Sequence, residues 1–273
     1  MVKKIVEKIS ILVLVVAMML LISGCNNNLV DQTYVYDDTN YGTGNKAFNT
    51  DITEVNIDWI LGNVFIQKSE NDQLIVREDV SINLDDGYKM HHLLTDSSLD
   101  IKFAKSFENL KYKFGIKNLY VYLPKQIDKI NITCNSADIE IKDVKIDNLN
   151  IITTSGSVVF DYVDIENLSI ISDSGLISLF NNNIKQNNII TNSAKVGLSY
   201  TTLPTTLNVE TKSGGITLYA TKEDSFSVKK ATVKGSFKSN LTFVENNNIY
   251  TFNSGSVIYQ LTTDSGYIKV LEK

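Results

Sequence analysis

The sequence predicts an all-β protein built as a single-stranded β-solenoid, and three observations carry that expectation. First, a serine followed by a small residue recurs at Ser136-Ala137, Ser155-Gly156, Ser174-Gly175, Ser193-Ala194 and Ser213-Gly214, spaced by 19, 19, 19 and 20 residues. Second, the residues around each serine fall into columns. Ile132, Ile151, Ile170, Ile189 and Val209 stand four before it, and Cys134, Thr153, Ser172, Thr191 and Thr211 two before. Ile139, Val158, Ile177, Val196 and Ile216 follow three after, then Ile141, Phe160, Leu179, Leu198 and Leu218 five after. Third, the parity of the apolar columns switches within each repeat. Residues of equal parity share one face of a strand, so each switch marks a corner. Positions −4, −2 and 0 are expected inward, then +3 and +5, then +8 and +10 (Val144 and Ile146, Val163 and Ile165), then +13 (Leu149, Leu168). Three short strands and three corners per repeat describe a three-sided coil.

Before the coils comes an export signal. Lys3, Lys4 and Lys8 form a positive start, residues 11–22 are all apolar, and Ser23-Gly24-Cys25 follows. That apolar run is shorter than the ~20 residues a membrane-spanning helix needs. A charged start, short apolar core and small residues before the cut describe a cleaved signal over residues 1–24. The run Leu21-Ile22-Ser23-Gly24-Cys25 looks like a lipobox, in which the Cys25 thiol is acylated and becomes the new N-terminus. Residues 26–50, rich in Asn, Asp, Thr, Tyr and Gly, are expected to form a tether behind that cysteine.

The domain is expected over residues 51–273. Ile57, Trp59, Leu61-Gly62, Val64 and Ile66 match the template at the front, and Leu261, Thr263, Ser265-Gly266, Ile268 and Val270 match it at the back. Across 67–130 alternation persists while the spacing drifts, so 51–130 reads as an irregular β-rich first half. Regular coils follow over 131–220 and C-terminal coils over 221–273. Two positions depart from the template: Asn182 and Thr201 fall where apolar residues are expected, and an extra residue near Pro204 reads as a bulged corner. Ile152, Ile171 and Ile190 should face outward in a row, as plain strand surface or covered by the first half.

Charge and residue inventory then narrow the function. The chain carries −5, and residues 1–24 contribute +2 (Lys3, Lys4 and Lys8 against Glu7), leaving −7 after processing. Such a surface repels phosphate backbones, which argues against nucleic-acid binding. Cys134 is the one thiol left after lipidation, so the core must hold by packing rather than by disulfides. His91 and His92 are adjacent and would point to opposite faces of a strand, a poor arrangement for sharing a metal. Asp173-Ser174-Gly175 and Asp264-Ser265-Gly266 suggest calcium, but acidic residues do not recur in a column as a calcium-binding β-roll requires. No catalytic, cofactor or metal residues are assigned. Tyr162, Phe180, Tyr200 and Tyr219 lie near the second corner, face outward by parity, and are the candidates for surface contact.

The run Leu119-Tyr120-Val121-Tyr122-Leu123-Pro124-Lys125, followed by serial Ser-Gly repeats, resembles a bacterial family of adhesin-like envelope domains of unknown function. The resemblance covers about residues 50–273. It implies a β-solenoid and supplies no catalytic residues. A right-handed coil is expected by analogy alone. The reading is therefore a non-enzymatic surface lipoprotein on the extracytoplasmic face of the cell membrane, held by Cys25. Its partner would be an envelope glycan or surface protein. The competing reading is a polysaccharide-active β-helix enzyme of the envelope, which would need a cleft gathering paired carboxylates.

Overall fold

The computed structural model describes residues 34–49, 51–108 and 116–273. The described residues form strands joined through one open, 23-stranded hydrogen-bonded sheet. The one helical turn among them is a 3-10 turn at Asp86–Tyr88.

The N-terminal part contributes β1 (Gly42–Thr43), β2 (Lys46–Phe48), β3 (Glu54–Trp59), β4 (Asn63–Lys68), β5 (Leu74–Val80), β6 (His91–Thr95) and β7 (Ser98–Lys102). The body continues with β8 (Lys117–Leu123), β9 (Ile127–Cys134), β10 (Asp138–Lys142), β11 (Lys145–Thr153), β12 (Val158–Asp161), β13 (Asp164–Ser172), β14 (Leu176–Thr191), β15 (Lys195–Thr202), β16 (Thr206–Thr211) and β17 (Ile216–Ala220). The C-terminal part adds β18 (Phe226–Thr232), β19 (Ser236–Ser239), β20 (Val244–Asn246), β21 (Ile249–Phe252), β22 (Ile258–Thr263) and β23 (Tyr267–Glu272).

In the body, parallel strands pair at the spacing of the repeat. Ile132, Ile151, Ile170, Ile189 and Val209 lie side by side, and so do Ile139, Val158, Ile177 and Val196. All of these residues are buried. The expected third strand runs on into the first strand of the next coil. β11 carries Ile146 inward, turns two residues outward at Asp147 and Asn148, and resumes inward at Leu149, Ile151 and Thr153. A corner inside a continuous hydrogen-bond ladder thus replaces a break between two strands.

The first corner differs from the expectation at one position. Parity places the serines inward, but Ser136, Ser155, Ser193, Ser213 and Ser265 are exposed, and each donates its hydroxyl to a carbonyl of the coil beneath. The small residue after the serine points in instead. A Cβ on Gly156 would lie 1.8 Å from the Ala137 carbonyl oxygen, and one on Gly214 1.8 Å from that of Ala194. Backbone contact, more than backbone angle, demands the small residue there. The hydroxyl column two before the serine serves the same corner. Thr191, Thr211 and Thr263 accept from the backbone N–H of Ala194, Gly214 and Gly266 at 3.1, 2.9 and 2.9 Å. A buried N–H without such an acceptor would cost about 1–3 kcal/mol.

Coil order does not follow chain order at either end. β3 and β4 sit between β7 and β9 on one side and between β8 and β10 on the other. Ile57 therefore pairs with both Ile101 and Ile132. At the far end β22 pairs with both β16 and β18, and β23 with both β17 and β19. The first and last template matches are inserted coils, each second from its end. The drift between 67 and 130 has this cause: the chain leaves the stack, builds antiparallel cover through β5 on β8 and β6 on β7, and returns beyond its own first coil. Antiparallel β21 covers β18 in the same manner. Such cover blunts edges that would otherwise pair with other chains.

The tether expectation over 26–50 fails for the part described. β1 pairs with β6 and β2 with β5, Phe48 is buried, and the Tyr34 hydroxyl donates to the Asp58 carbonyl at 3.2 Å. Tyr34, Tyr36 and Tyr41 pack edge to face in series, and their burial removes this stretch from the tether. Residues 1–33, including Cys25, lie outside the described residues.

Two stability measurements test this arrangement. Ile170→Ala should cost about 2–5 kcal/mol in urea denaturation, the usual range for emptying a packed aliphatic site. Deleting residues 258–273 removes a coil paired on both sides, so it should abolish cooperative unfolding. In a solenoid wound in chain order the same deletion would merely shorten the stack.

Candidate functional site

The four aromatics picked from sequence separate into three environments. Tyr162 is 62% exposed and sits at the second corner with φ +54°. Its equivalents Asp143 and Asn181 also have positive φ, which short polar side chains tolerate and a tyrosine resists. Phe180 and Tyr219 meet across the intervening coil at a centroid distance of 5.7 Å, over the space left by Gly197. Tyr200 is a correction: it is buried, not outward. The register shifts so that Tyr200, rather than Thr201, pairs with Asn182, and Thr201 turns out to solvent. Coils one to three each place a left-handed residue at this corner (Asp143, Tyr162 and Asn181), and coil four has none.

Tyr200 brings a polar group into the core. Its hydroxyl accepts from Asn187 Nδ2 at 2.5 Å, while Asn182 Oδ1 accepts from the Val163 N–H at 2.9 Å. Burial pushes the Tyr200 phenol far above its ordinary range. The column neighbours of Asn182 are Val163 and Tyr200. Asparagine ladders run on the outside instead, as in Asn150 to Asn131 at 3.0 Å and Asn167 to Asn148 at 3.0 Å.

A second aromatic row, missed from sequence, lies on the outer face of the N-terminal end. Phe65 stacks on Tyr120 at 4.8 Å, Tyr120 lies 6.5 Å from Tyr122, and the Arg77 guanidinium stands 5.8 Å from the Tyr120 ring. The three rings are only half-buried. Phe65 and Tyr120 are 55 residues apart, and only the inserted coil makes them neighbours. Stacked half-exposed rings beside a guanidinium can pack against the C–H faces of sugars or against planar side chains.

The most unusual charge is interior. Lys117 is fully buried, 2.9 Å from Glu78, and also donates to the carbonyls of Tyr88 and Phe103. Its ammonium lies 5.2 Å from the Trp59 ring centroid and 4.2 Å from that of Phe103. Burial lowers its pKa to about 8, against the attraction of Glu78. Walled in by rings and carbonyls, it ties β5, β7 and β8 together rather than offering a reactive amine. Burial likewise pushes the Cys134 thiol up to about 12, so the thiolate that would react is disfavoured.

His91 Nδ1 faces the Lys89 carbonyl at 2.9 Å, while His92 lies against Phe48. Among the described residues, no three His, Cys, Asp or Glu side chains gather as metal ligands. A groove of about 560 Å³ opens where the β2 and β3 ends meet the β8–β9 turn, with Asp51, Asp72 and Asp128 on its walls. Asp72 already accepts from the Lys125 N–H at 2.5 Å. The row Ile152, Ile171 and Ile190 is half-buried strand surface, in register between Thr133 and Glu210. The first half stacks on the end of the coils and leaves that row alone.

The model of the Toastrack DUF4097 family matches residues 125–271, just over half of the chain. A search of curated proteins gives no match. Crystal structures with a similar course are named "putative lipid binding protein" from Parabacteroides distasonis, "putative adhesin" from Bacteroides fragilis and "putative cell adhesion protein" from Clostridium sporogenes. Their identities are 14%, 9% and 13%, and their TM-scores 0.47, 0.44 and 0.40. The alignments cover 84%, 84% and 85% of this chain and 96%, 96% and 100% of the others. At those scores the likeness carries no argument about ligands.

Two substitutions probe the site. Tyr162→Asn relieves a left-handed tyrosine, so stability should hold or rise by about 1 kcal/mol. Glu78→Gln strands the Lys117 ammonium and should cost about 3–5 kcal/mol. The native Lys117 releases its proton near pH 8, below its unfolded value of 10.5. Between those values the unfolded chain holds more protons, so this group makes stability rise with pH. Denaturation midpoints measured from pH 7 to 10 should show that rise.

Proposed function

This chain belongs to the Toastrack DUF4097 family, and from that premise we propose that it is a lipid-anchored, non-enzymatic interaction or scaffolding module on the extracytoplasmic face of the cell membrane. The feature that carries the reading is the run Leu21-Ile22-Ser23-Gly24-Cys25, which looks like a lipobox, nine residues ahead of Tyr34, the first described residue, whose hydroxyl donates to the Asp58 carbonyl. An acylated Cys25 would hold the solenoid, right-handed by analogy, at the membrane. The Phe65, Tyr120 and Tyr122 row and the Phe180–Tyr219 pair are the contact surfaces that favour an envelope glycan or a surface protein as partner.

Cys25→Ser should abolish incorporation of labelled fatty acid and release the protein from the membrane fraction or leave its signal uncleaved. A variant that still takes up label and sediments with membranes would overturn the reading.

A further inference from the structure

We propose that the N-terminal end of the solenoid is a membrane-contacting surface, on which Val35, Ile82, Phe107 and Ile116 rest in the interfacial layer of the lipid bilayer. The proposal depends on the lipid-anchor reading and adds an orientation and a contact to it. These four side chains are 59%, 46%, 71% and 63% exposed. They are brought to one end by contacts remote in sequence. The Phe107 N–H donates to the Tyr34 carbonyl at 2.7 Å, and the Tyr36 N–H to Ser106 Oγ at 3.0 Å, which sets Val35 beside Phe107. Val80 pairs with Lys117, which sets Ile82 and Ile116 at the shared end of β5 and β8. The Lys117 ammonium reaches the Phe103 carbonyl, so the segments that carry the two pairs meet at the same end coil.

Phe107 supplies a second observation. Its φ is +64°, a conformation that bulky side chains resist, yet the hydrogen bond to Tyr34 holds it there with the ring in solvent. An asparagine or glycine would fit the same turn with less strain. Chain length supplies the third. From Cys25 to Tyr34 the backbone can span at most roughly 30 Å. The coils form a stack nine strands deep (β7, β3, β9, β11, β13, β14, β16, β22, β18), about 40 Å from end to end at the usual strand spacing. The N-terminal end is therefore kept near the bilayer and the C-terminal end can stand well away from it. Apolar groups beside a lipid anchor add the second signal that firm membrane attachment requires. Val233, Val244 and Ile258, 79%, 72% and 57% exposed toward the other end, provide an internal control.

The test uses the full lipidated chain reconstituted in vesicles of phosphatidylglycerol and phosphatidylethanolamine carrying nitroxide-labelled acyl chains. Buried Cys134 leaves the surface free of native thiols among the described residues, so Phe107→Cys and Val233→Cys each take one fluorophore. Val35→Cys replaces the first variant if that fails to fold. The label at 107 or 35 should be quenched by the nitroxide lipid and lose access to aqueous iodide, while the label at 233 keeps both signals unchanged. Protein that floats with the vesicles while its 107 and 35 labels stay as open to iodide as that at 233 would overturn the contact alone. Equal shielding at 107 and 233 would also overturn it, in favour of a solenoid lying on its side. Protein that carries no fatty acid and does not float would overturn the anchor and the contact together.

Discussion

Everything in this solenoid hangs on how one corner sits on the next. At the first corner a backbone carbonyl of one coil lies where the next coil would place a Cβ, as Ala137 does beneath Gly156 and Ala194 beneath Gly214. That contact fixes the height of each coil and admits only a very small side chain. The threonine column supplies the acceptor that the turned backbone N–H needs, and the serine column hydrogen-bonds downward from the solvent side. With corner geometry set, the isoleucine, valine and leucine columns fall into register, and the core becomes a stack of like residues on like.

A stack of this kind has two ends with unpaired edges, and the chain deals with both by the same manoeuvre. The first coil in sequence and the last are each placed second from an end, held by hydrogen bonds on both sides. The outermost strands come from within the chain and carry antiparallel cover. The first and last coils are thereby locked where fraying of the stack would otherwise begin. At the N-terminal end the lock includes a buried ion pair, Lys117 with Glu78. Such a pair is costly to desolvate and worse to break. Its value here lies in joining three strands that are far apart in sequence.

The surfaces that remain are of different kinds. Along the body, outward asparagines and isoleucines form regular ladders that the strand spacing dictates. Aromatic rings are presented at Phe65, Tyr120 and Tyr122 where the inserted coil meets β8, at Tyr162 on a regular corner whose conformation is costly for its side chain, and at the Phe180–Tyr219 pair.

The repeat was legible because a parallel stack places residue n on residue n+19, and identical environments select similar residues. That made the columns at Ile151, Ile170 and Ile189, the burial of Cys134 and the small corner residues readable one coil at a time. Three features were not readable in that way. The serines of the corner lie outside the core because the turn begins one residue earlier than parity alone implies. Tyr200 enters the core in place of Thr201 because coil four lacks the left-handed corner residue that Asp143, Tyr162 and Asn181 supply in the coils before it, and a one-residue shift reverses which side chains point inward. The inserted coils, the Phe65–Tyr120 stack and the Lys117–Glu78 pair unite residues 30 to 75 positions apart at no fixed period. The sequence by itself determined the coil and its period, since both are encoded in local pattern. Only the tertiary structure decided the order of the end coils and the surfaces they build, because strand partners there are chosen by long-range packing, which leaves no periodic mark on the chain.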